Sequence, residues 1–133
     1  MRMVFLDTVG LLATWDERDQ WHNDAVPVFA ELIREKAVLL TTEFVLGECA
    51  NAAARKPYRA RVAVLRDLLR AQNRVAQIDY DVLEEAWVAF RAGDRTAAGL
   101  VDQISFIEMR RLGIAEAFTN DQHFRVAGFR TLF

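Results

Sequence analysis

Four acidic residues that lie far apart along the chain are the side chains most able to do chemistry: Asp7, Glu48, Asp102 and Asp121. Asp7 and Asp121 each come just after a short apolar run that predicts a buried strand. Glu48 and Asp102 each lie three or four residues from apolar side chains of a predicted helix, so both border its buried face. No Lys or Arg lies within one helical turn of either residue, and a carboxylate removed from water is unstable unless positive charge meets it. A bound divalent cation would neutralise all four acids together.

The chemistry of this predicted site favours Mg²⁺ or Mn²⁺, as one or two ions. Both are hard cations that prefer oxygen ligands, usually one or two carboxylates completed by water and substrate phosphate. Zinc is disfavoured, because no His or Cys cluster has the spacing of a zinc site. An ion of this kind orients and acidifies a water and offsets the charge that builds on phosphoryl oxygens.

Each acid also has an ordinary structural interpretation. Asp7 suits a helix N-cap, and Asp121 suits a turn. Asp102 suits the first turn of a helix, where it would interact with the helix dipole, and Glu48 could reach solvent from the edge of its apolar stripe. The spacing alone therefore leaves the metal site and these structural roles both open.

Two neighbours of the acids are equally open. Ser105 lies one turn from Asp102, so its hydroxyl either supports a metal ligand or is a tolerated hydroxyl within a helix. His123 could reach the site through a water, but a lone His beside Phe124 is predicted first as a packing residue.

Short apolar runs alternate with helical patterns along the chain, which predicts an α/β fold. Strands are predicted at residues 3–6, 37–41, 75–78, 115–119 and 129–132, with helices at 8–15, 22–36, 43–54, 57–72, 80–92 and 100–112 and a loop at 93–99. In the second helix Val26, Phe29, Ala30 and Ile33 recur at helical spacing and predict its apolar face. We expect a short, mostly parallel central sheet of four to five strands flanked by helices, with ligands at the carboxyl ends of the strands.

Length and composition are consistent with one domain over residues 1–133. No apolar run reaches the roughly 18 to 20 residues that a membrane span needs. The chain has a single cysteine, Cys49, which suits a reducing compartment, so a cytoplasmic location is expected.

Basic residues are concentrated in one segment. Residues 55–74 hold seven Arg or Lys and one Asp, a local charge of +6, which leaves −8 for the rest of a chain whose net charge is −2. Arg59, Arg66 and Arg70 fall on one face of the predicted 57–72 helix, and we call them the arginine stripe. Such a run is either a solvated face or a surface that contacts RNA phosphates, for which the forked guanidinium is well suited.

Read together, three separated segments resemble the PIN domain family, and within it the VapC-type toxins. VFLDTVGLLA resembles the opening strand, Asp and helix, and LLTTEFVLGECANAA resembles the strand, Thr-Thr pair and helix that carries an acid. The most specific segment is LVDQISFIEMRRLGIAEAFTNDQHFRVAGF, with its D-x-x-S-F, M-R-x-x-G-I and T-x-D-x-H-F elements. The resemblance covers nearly the whole chain.

The resemblance implies a single PIN-like nuclease domain with Asp7, Glu48, Asp102 and Asp121 at the family's acidic positions. It implies a metal-dependent endoribonuclease that hydrolyses RNA phosphodiester bonds, and the toxin of a toxin–antitoxin pair. The implied partners are the RNA substrate, a small antitoxin protein and a second copy of the chain in a homodimer, with no membrane involved.

The sequence departs from the family at two positions near the acids. Val9 stands two places after Asp7, where the family often has Ser or Thr, although Thr8 could supply the hydroxyl. Cys49 follows Glu48, where the family commonly has Thr. Neither change removes an acid, so they affect the fine tuning of the predicted site.

Two other functions are compatible with parts of the sequence. A phosphohydrolase of the haloacid dehalogenase type also begins with a strand and an Asp, but it has a second Asp two residues later, where this chain has Val9. A non-catalytic RNA-binding or regulatory module on the same fold is the other alternative. Four retained acids argue against it, because a binding-only site would gain from losing their repulsion of phosphate.

Overall fold

The structure is a computed structural model that describes residues 1–93 and 97–133. Strands and helices alternate along these residues. In chain order they are β1 (Met3–Leu6), α1 (Thr8–Trp15), α2 (His22–Arg34), β2 (Val38–Thr42), α3 (Glu43–Ala53), α4 (Arg59–Ala71), β3 (Val75–Ala76), α5 (Tyr80–Ala92), α6 (Leu100–Leu112), β4 (Glu116–Phe118), α7 (Gln122–Val126) and β5 (Arg130–Thr131). Part of the predicted loop at 93–99 lies outside the described residues.

The strands form one parallel sheet in the order β3-β2-β1-β4-β5, which confirms the predicted fold class. Strand β1 lies at the centre, and Val4, Phe5 and Leu6 are completely buried there because helices cover both faces of a parallel sheet. None of the helices in the described part of the chain has both the length and the apolar character needed to cross a bilayer.

Side chains that begin and end the helices account for their bounds. Asp7, Thr42, Asp79 and Asp121 cap α1, α3, α5 and α7 by accepting a backbone N–H. Gly113 ends α6 in the left-handed conformation that favours glycine, with φ of 70°.

Gly10 sets how closely α1 approaches β4. A Cβ atom at this position would lie 2.1 Å from the carbonyl oxygen of Phe118, so only glycine permits the contact. The close approach holds the start of α1 against the end of β4.

The structure corrects three details of the predicted elements. Helix α2 buries Ala25 and Leu32 with Phe29 half-buried, while Val26 and Ile33 are exposed, so its buried face is rotated by about one residue from the predicted one. Helix α4 begins at Arg59 and not at residue 57. Helix α7 was not predicted, because a five-residue helix is too short to show a periodic pattern.

Candidate active site

The four acids are carried by elements that meet at the carboxyl end of the sheet. In the parallel pair of β1 and β4, Leu6 lies opposite Phe118, so the next residues, Asp7 and Thr119, are neighbours. Asp121 follows two residues later as the N-cap of α7. Asp102 lies in the first turn of α6, and Glu48 lies in the middle of α3.

Asp7 is the most deeply buried of these acids, with 2% of its surface exposed. Its Oδ2 accepts a hydrogen bond from the Thr119 hydroxyl at 2.7 Å and a longer one from the Val9 N–H at 3.4 Å. Its pKa is raised to about 7, mainly because burial disfavours the charged form; the Thr119 hydrogen bond opposes the rise, and the charges of Asp102 and Asp121 add to it. The residue therefore holds its negative charge only weakly.

Asp102, Asp121 and His123 form the tightest group of potential ligands in the described residues, with one ligand atom from each lying within 4.8 Å of the others. Nδ1 of His123 lies 2.8 Å from Asp121 Oδ1, without the angle of a hydrogen bond, and 3.9 Å from Asp102 Oδ2. The pKa of Asp102 is raised to about 6, first by burial and then by the charges of Asp121 and Glu48, while His123 opposes the rise.

Glu48 is the exposed member of the group. Its Oε1 accepts a hydrogen bond of 2.6 Å from the Thr8 hydroxyl, and its charge acts on Asp102. Since Asp102 and Asp121 act in turn on Asp7, the four acids form one electrostatically coupled cluster. We call them the acidic cluster.

The structural roles considered from the sequence are also present. Asp7 and Asp121 are N-caps, and Asp102 lies in a helical first turn. These roles are compatible with a ligand site, because the positive ends of the helix dipoles then face the converging carboxylates.

The cluster has the composition of a site for a hard divalent cation. None of the salt bridges among the described residues joins a Lys or Arg to any of the four acids. The raised pKa values of Asp7 and Asp102 reflect burial first and the repulsion of neighbouring carboxylates second. Carboxylate oxygens with one imidazole nitrogen fit Mg²⁺ or Mn²⁺.

For the residues next to the acids, the structure can be compared with the roles that the sequence allowed. His123 lies beside Asp102 and Asp121, as the alternative in which it reaches the site requires, whereas the fully buried packing residue is its neighbour Phe124. The Ser105 hydroxyl donates to the Val101 carbonyl one turn back, which is the helix-hydroxyl alternative. Thr8 contacts Glu48, as described above.

Sequence reasoning gave no role to Thr119. This residue is fully buried, donates to Asp7 and accepts the backbone N–H of Asp121 at 3.1 Å, so it joins two acids of the cluster. It is the Thr of the T-x-D element, and its position at the end of the predicted strand 115–119, two residues before Asp121, was the signal available.

The arginine stripe is less free than the sequence implied. Arg66 makes a forked ion pair with Glu43, and Arg59 donates to the Ala54 carbonyl at 3.0 Å. Arg70 is exposed and forms no salt bridge with a described residue. Two of the three side chains are therefore already engaged.

Comparison with known proteins defines the class of protein. The PIN domain family model matches residues 4–130, so the chain belongs to the PIN domain family. This membership excludes the haloacid dehalogenase alternative.

The chain is also similar to particular proteins, both in sequence and in structure. The chain is 33% identical over 128 residues, 96% of its length and 95% of the relative's, to the 23S rRNA-specific endonuclease VapC20 of Mycobacterium tuberculosis, in strains CDC 1551 / Oshkosh and ATCC 25618 / H37Rv. It is similar in structure to crystalline M. tuberculosis VapC20, described as a Sarcin-Ricin loop cleaving toxin, with a TM-score of 0.76, 31% identity and 95% of each chain covered.

Proposed function

We propose that the protein is a metal-dependent endoribonuclease that hydrolyses RNA phosphodiester bonds and acts as the toxin of a toxin–antitoxin pair. The observation that carries the proposal is the acidic cluster, in which a deeply buried Asp7 and a half-buried Asp102 converge with Asp121 without Lys or Arg partners. The likeness to VapC20 over 96% of the chain supports the choice of RNA as substrate.

In this proposal Asp7, Glu48, Asp102 and Asp121 hold one or two Mg²⁺ or Mn²⁺ ions, with His123 beside them. When bound, such an ion would acidify and orient a water and offset charge on the phosphoryl oxygens. Thr119 holds Asp7 and favours its ionised form, because a hydrogen bond to the carboxylate lowers its pKa. Thr8 fixes the otherwise exposed Glu48 through its hydroxyl.

Hydrolysis forms a bond from the water oxygen to phosphorus and breaks one bond from phosphorus to a ribose oxygen. The water loses a proton, and the leaving oxygen gains one. The protein's part is to position the phosphate and the attacking water at the acidic cluster.

The proposed partners are RNA, a small antitoxin that masks the site, and a second copy of the chain in a homodimer. The large-subunit ribosomal RNA is the first substrate to test, because the relative VapC20 is named for it. A cytoplasmic location belongs to the same proposal, consistent with a single, buried cysteine.

The experiment compares cleavage of total RNA by the wild type and by Asp102→Asn, with Mg²⁺ or Mn²⁺ present. We expect Asp102→Asn to abolish cleavage while its circular dichroism spectrum stays that of the wild type, because Asn has the same shape and lacks the ligand charge. Asp81→Asn is the matched control, since Asp81 is an exposed Asp in the first turn of α5. This control should cleave normally.

Full activity in folded Asp102→Asn would remove this residue from the site. A wild type that binds RNA but cleaves none under either metal would favour the binding-module alternative.

A further inference from the structure

His123 lies beside the acidic cluster, and the proposed chemistry does not yet give its imidazole a role. The ring atom Nδ1 is buried and has no hydrogen-bond partner among the described residues, although 35% of the side chain is exposed. A buried ring nitrogen without a partner is costly, because it has lost its bonds to water and gained none in the fold. This atom therefore calls for a ligand.

Two carboxylate oxygens lie near Nδ1 of His123 without forming a hydrogen bond with it. Asp121 Oδ1 is 2.8 Å away, but the ring N–H direction does not point at it. Asp102 Oδ2 is 3.9 Å away, which is too far for a hydrogen bond. Hydrogen bonding between these side chains therefore does not explain why the three groups converge.

The same distances are those expected between ligand atoms of one metal ion. In octahedral coordination with bonds of about 2.05 Å, adjacent ligand atoms lie about 2.9 Å apart and opposite ones about 4.1 Å apart. The distances from His123 Nδ1 to the oxygens of Asp121 and Asp102, 2.8 and 3.9 Å, lie near these two values. One ligand atom from each residue lies within 4.8 Å of the others, so a single ion can contact all three.

Local structure fixes the imidazole in this place. The backbone N–H of His123 donates to Asp121 Oδ1 at 2.9 Å where α7 begins, so these two residues are held together. The next residue, Phe124, is fully buried and packs edge-on against Phe106 of α6, with ring centroids 4.9 Å apart. Phe106 lies four residues after Asp102, on the same face of α6. Buried packing of α7 against α6 therefore brings His123 to Asp102.

An imidazole ligand changes which ion such a site prefers. Mg²⁺ is held mainly by carboxylate, water and phosphate oxygens. Imidazole nitrogen is a softer donor than oxygen, and it favours divalent ions of the first transition row, of which Mn²⁺ is a member, over Mg²⁺. A nitrogen among carboxylates should therefore move the preference of the site from Mg²⁺ toward Mn²⁺.

We propose that Nδ1 of His123 binds the metal ion directly, together with Asp102 and Asp121, and that this nitrogen makes the site prefer Mn²⁺ to Mg²⁺. The bound imidazole is neutral, with its proton on Nε2. This inference rests on the proposed metal-dependent ribonuclease function and deepens it, because it adds a nitrogen ligand to the four acids and names the preferred ion.

The first test uses the whole wild-type protein with Mn²⁺ alone, without RNA. Pulsed electron paramagnetic resonance detects a nitrogen bound directly to Mn²⁺ through its hyperfine coupling to the electron spin. We expect this coupling, and we expect its frequencies to change when the protein is made with ¹⁵N-labelled histidine. A protein that binds no Mn²⁺, or binds it without a directly coordinated histidine nitrogen, would overturn the proposal.

Two substitutions of His123 separate its two ring nitrogens. Asn places an amide oxygen as many bonds from Cβ as Nδ1 is, whereas Gln reaches toward the position of Nε2. His123→Asn should lose the nitrogen coupling, keep its Mg²⁺ affinity within about three-fold, and lower the ratio of Mn²⁺ to Mg²⁺ affinity at least about three-fold. His123→Gln should weaken Mn²⁺ binding at least about ten-fold, since losing even a residue that only supports a metal ligand costs about 10–100-fold.

His22→Asn is the matched control for the two variants. His22 is the only other histidine of the chain, and its Nδ1 contacts the carbonyl oxygen of Ala13 at 2.8 Å. This control should keep the nitrogen coupling and both metal affinities, which are measured by calorimetry on proteins whose circular dichroism shows them to be folded. Nitrogen coupling in folded His123→Asn, or an unchanged ratio of its two affinities, would contradict the assignment.

A protonated His123 that neutralises Asp102 and Asp121 is the competing explanation of the same contacts. The variants then give the opposite result, because removing a cation beside two carboxylates should tighten Mn²⁺ binding. A Mn²⁺ affinity of His123→Asn and His123→Gln that equals or exceeds that of the wild type would therefore overturn the proposal.

RNA cleavage separates this inference from the function on which it rests. A wild type that binds Mn²⁺ through a histidine nitrogen but cleaves no RNA supports the metal site and refutes the proposed ribonuclease. Cleavage by a protein whose bound Mn²⁺ has no histidine nitrogen supports the ribonuclease and refutes the ligand assignment.

Discussion

Asp7→Asn removes one charge from the most buried member of the acidic cluster while leaving the local geometry intact. Asn can accept the hydrogen bond from Thr119, as the Asp7 carboxylate does at 2.7 Å. Asn also caps a helix about as well as Asp, so α1 should keep its N-cap. The substitution therefore isolates the charge of Asp7 from its packing.

The expected effect follows from the pKa of Asp7, which is about 7 in the folded protein against an ordinary value of 3.8. Because the folded state then binds this proton more tightly than the unfolded chain, the free energy of unfolding falls as pH rises between these two values. Each pKa unit corresponds to about 1.4 kcal/mol. Between pH 5 and pH 8 the metal-free wild type should therefore lose up to about 3 kcal/mol that Asp7→Asn keeps.

Bound metal should make the wild type the more stable of the two proteins. An ion that binds only the folded state adds about 2.7 kcal/mol when its concentration is a hundred times the dissociation constant. The wild type should gain this stabilisation from Mg²⁺ or Mn²⁺, and Asp7→Asn should gain less, because its site has lost a ligand. The variant should also be inactive in RNA cleavage.

Urea unfolding at pH 5 and pH 8 in chelator, and thermal melts over a metal titration, measure both effects. Asp79→Asn is the control, because Asp79 caps α5 as Asp7 caps α1 but lies outside the acidic cluster. Equal metal-induced shifts in wild type and Asp7→Asn, the result expected of a residue that is only a helix cap, would refute the role of Asp7 as a metal ligand. A stability difference that does not grow from pH 5 to pH 8 would refute the raised pKa of Asp7.

Two further predictions concern the surroundings of the site. Replacing all three residues of the arginine stripe by Ala should reduce the slope of log affinity for RNA against log salt by about two units at most, because one of the three is already paired with Glu43; an unchanged slope would mean a solvated face. Thr119→Val should move the acidic limb of the pH–cleavage profile to higher pH. In the wild type the hydrogen bond from Thr119 lowers the pKa of Asp7, so its loss should raise that pKa. Thr119→Ser, which keeps the hydroxyl, should leave the profile in place, and a limb that does not move in Thr119→Val would exclude this coupling.

The sequence by itself predicted those elements for which the local signals, such as caps and apolar runs, agree with the burial found in the structure. The bounds of β1, α1 and α6 were predicted residue by residue. Strand β1 is buried on both faces and so reads as a continuous apolar run, while Asp7 begins α1 and Gly113 ends α6 through local backbone hydrogen bonds. The four acids were recognised because they stand beside apolar positions with no local basic partner.

Other features depended on contacts between distant parts of the chain. The apolar spacing of α2 is compatible with two overlapping stripes, both of which include Phe29. In the structure Phe29 packs against Phe118, and the buried stripe is the one that also contains Ala25 and Leu32. His123 was expected to pack, yet the turn after β4 places it beside Asp102 of α6.

Only the tertiary structure decided that the acids form one coupled cluster. Asp7 and Thr119 are 112 residues apart, and they meet because β1 and β4 are neighbours in the sheet and Gly10 lets α1 approach Phe118. The burial of Asp7 cannot be read from spacing, because it depends on which distant groups surround the side chain after folding. Helical and strand periods are local properties of the chain, whereas the electrostatic environment of a carboxylate is a property of the packed fold.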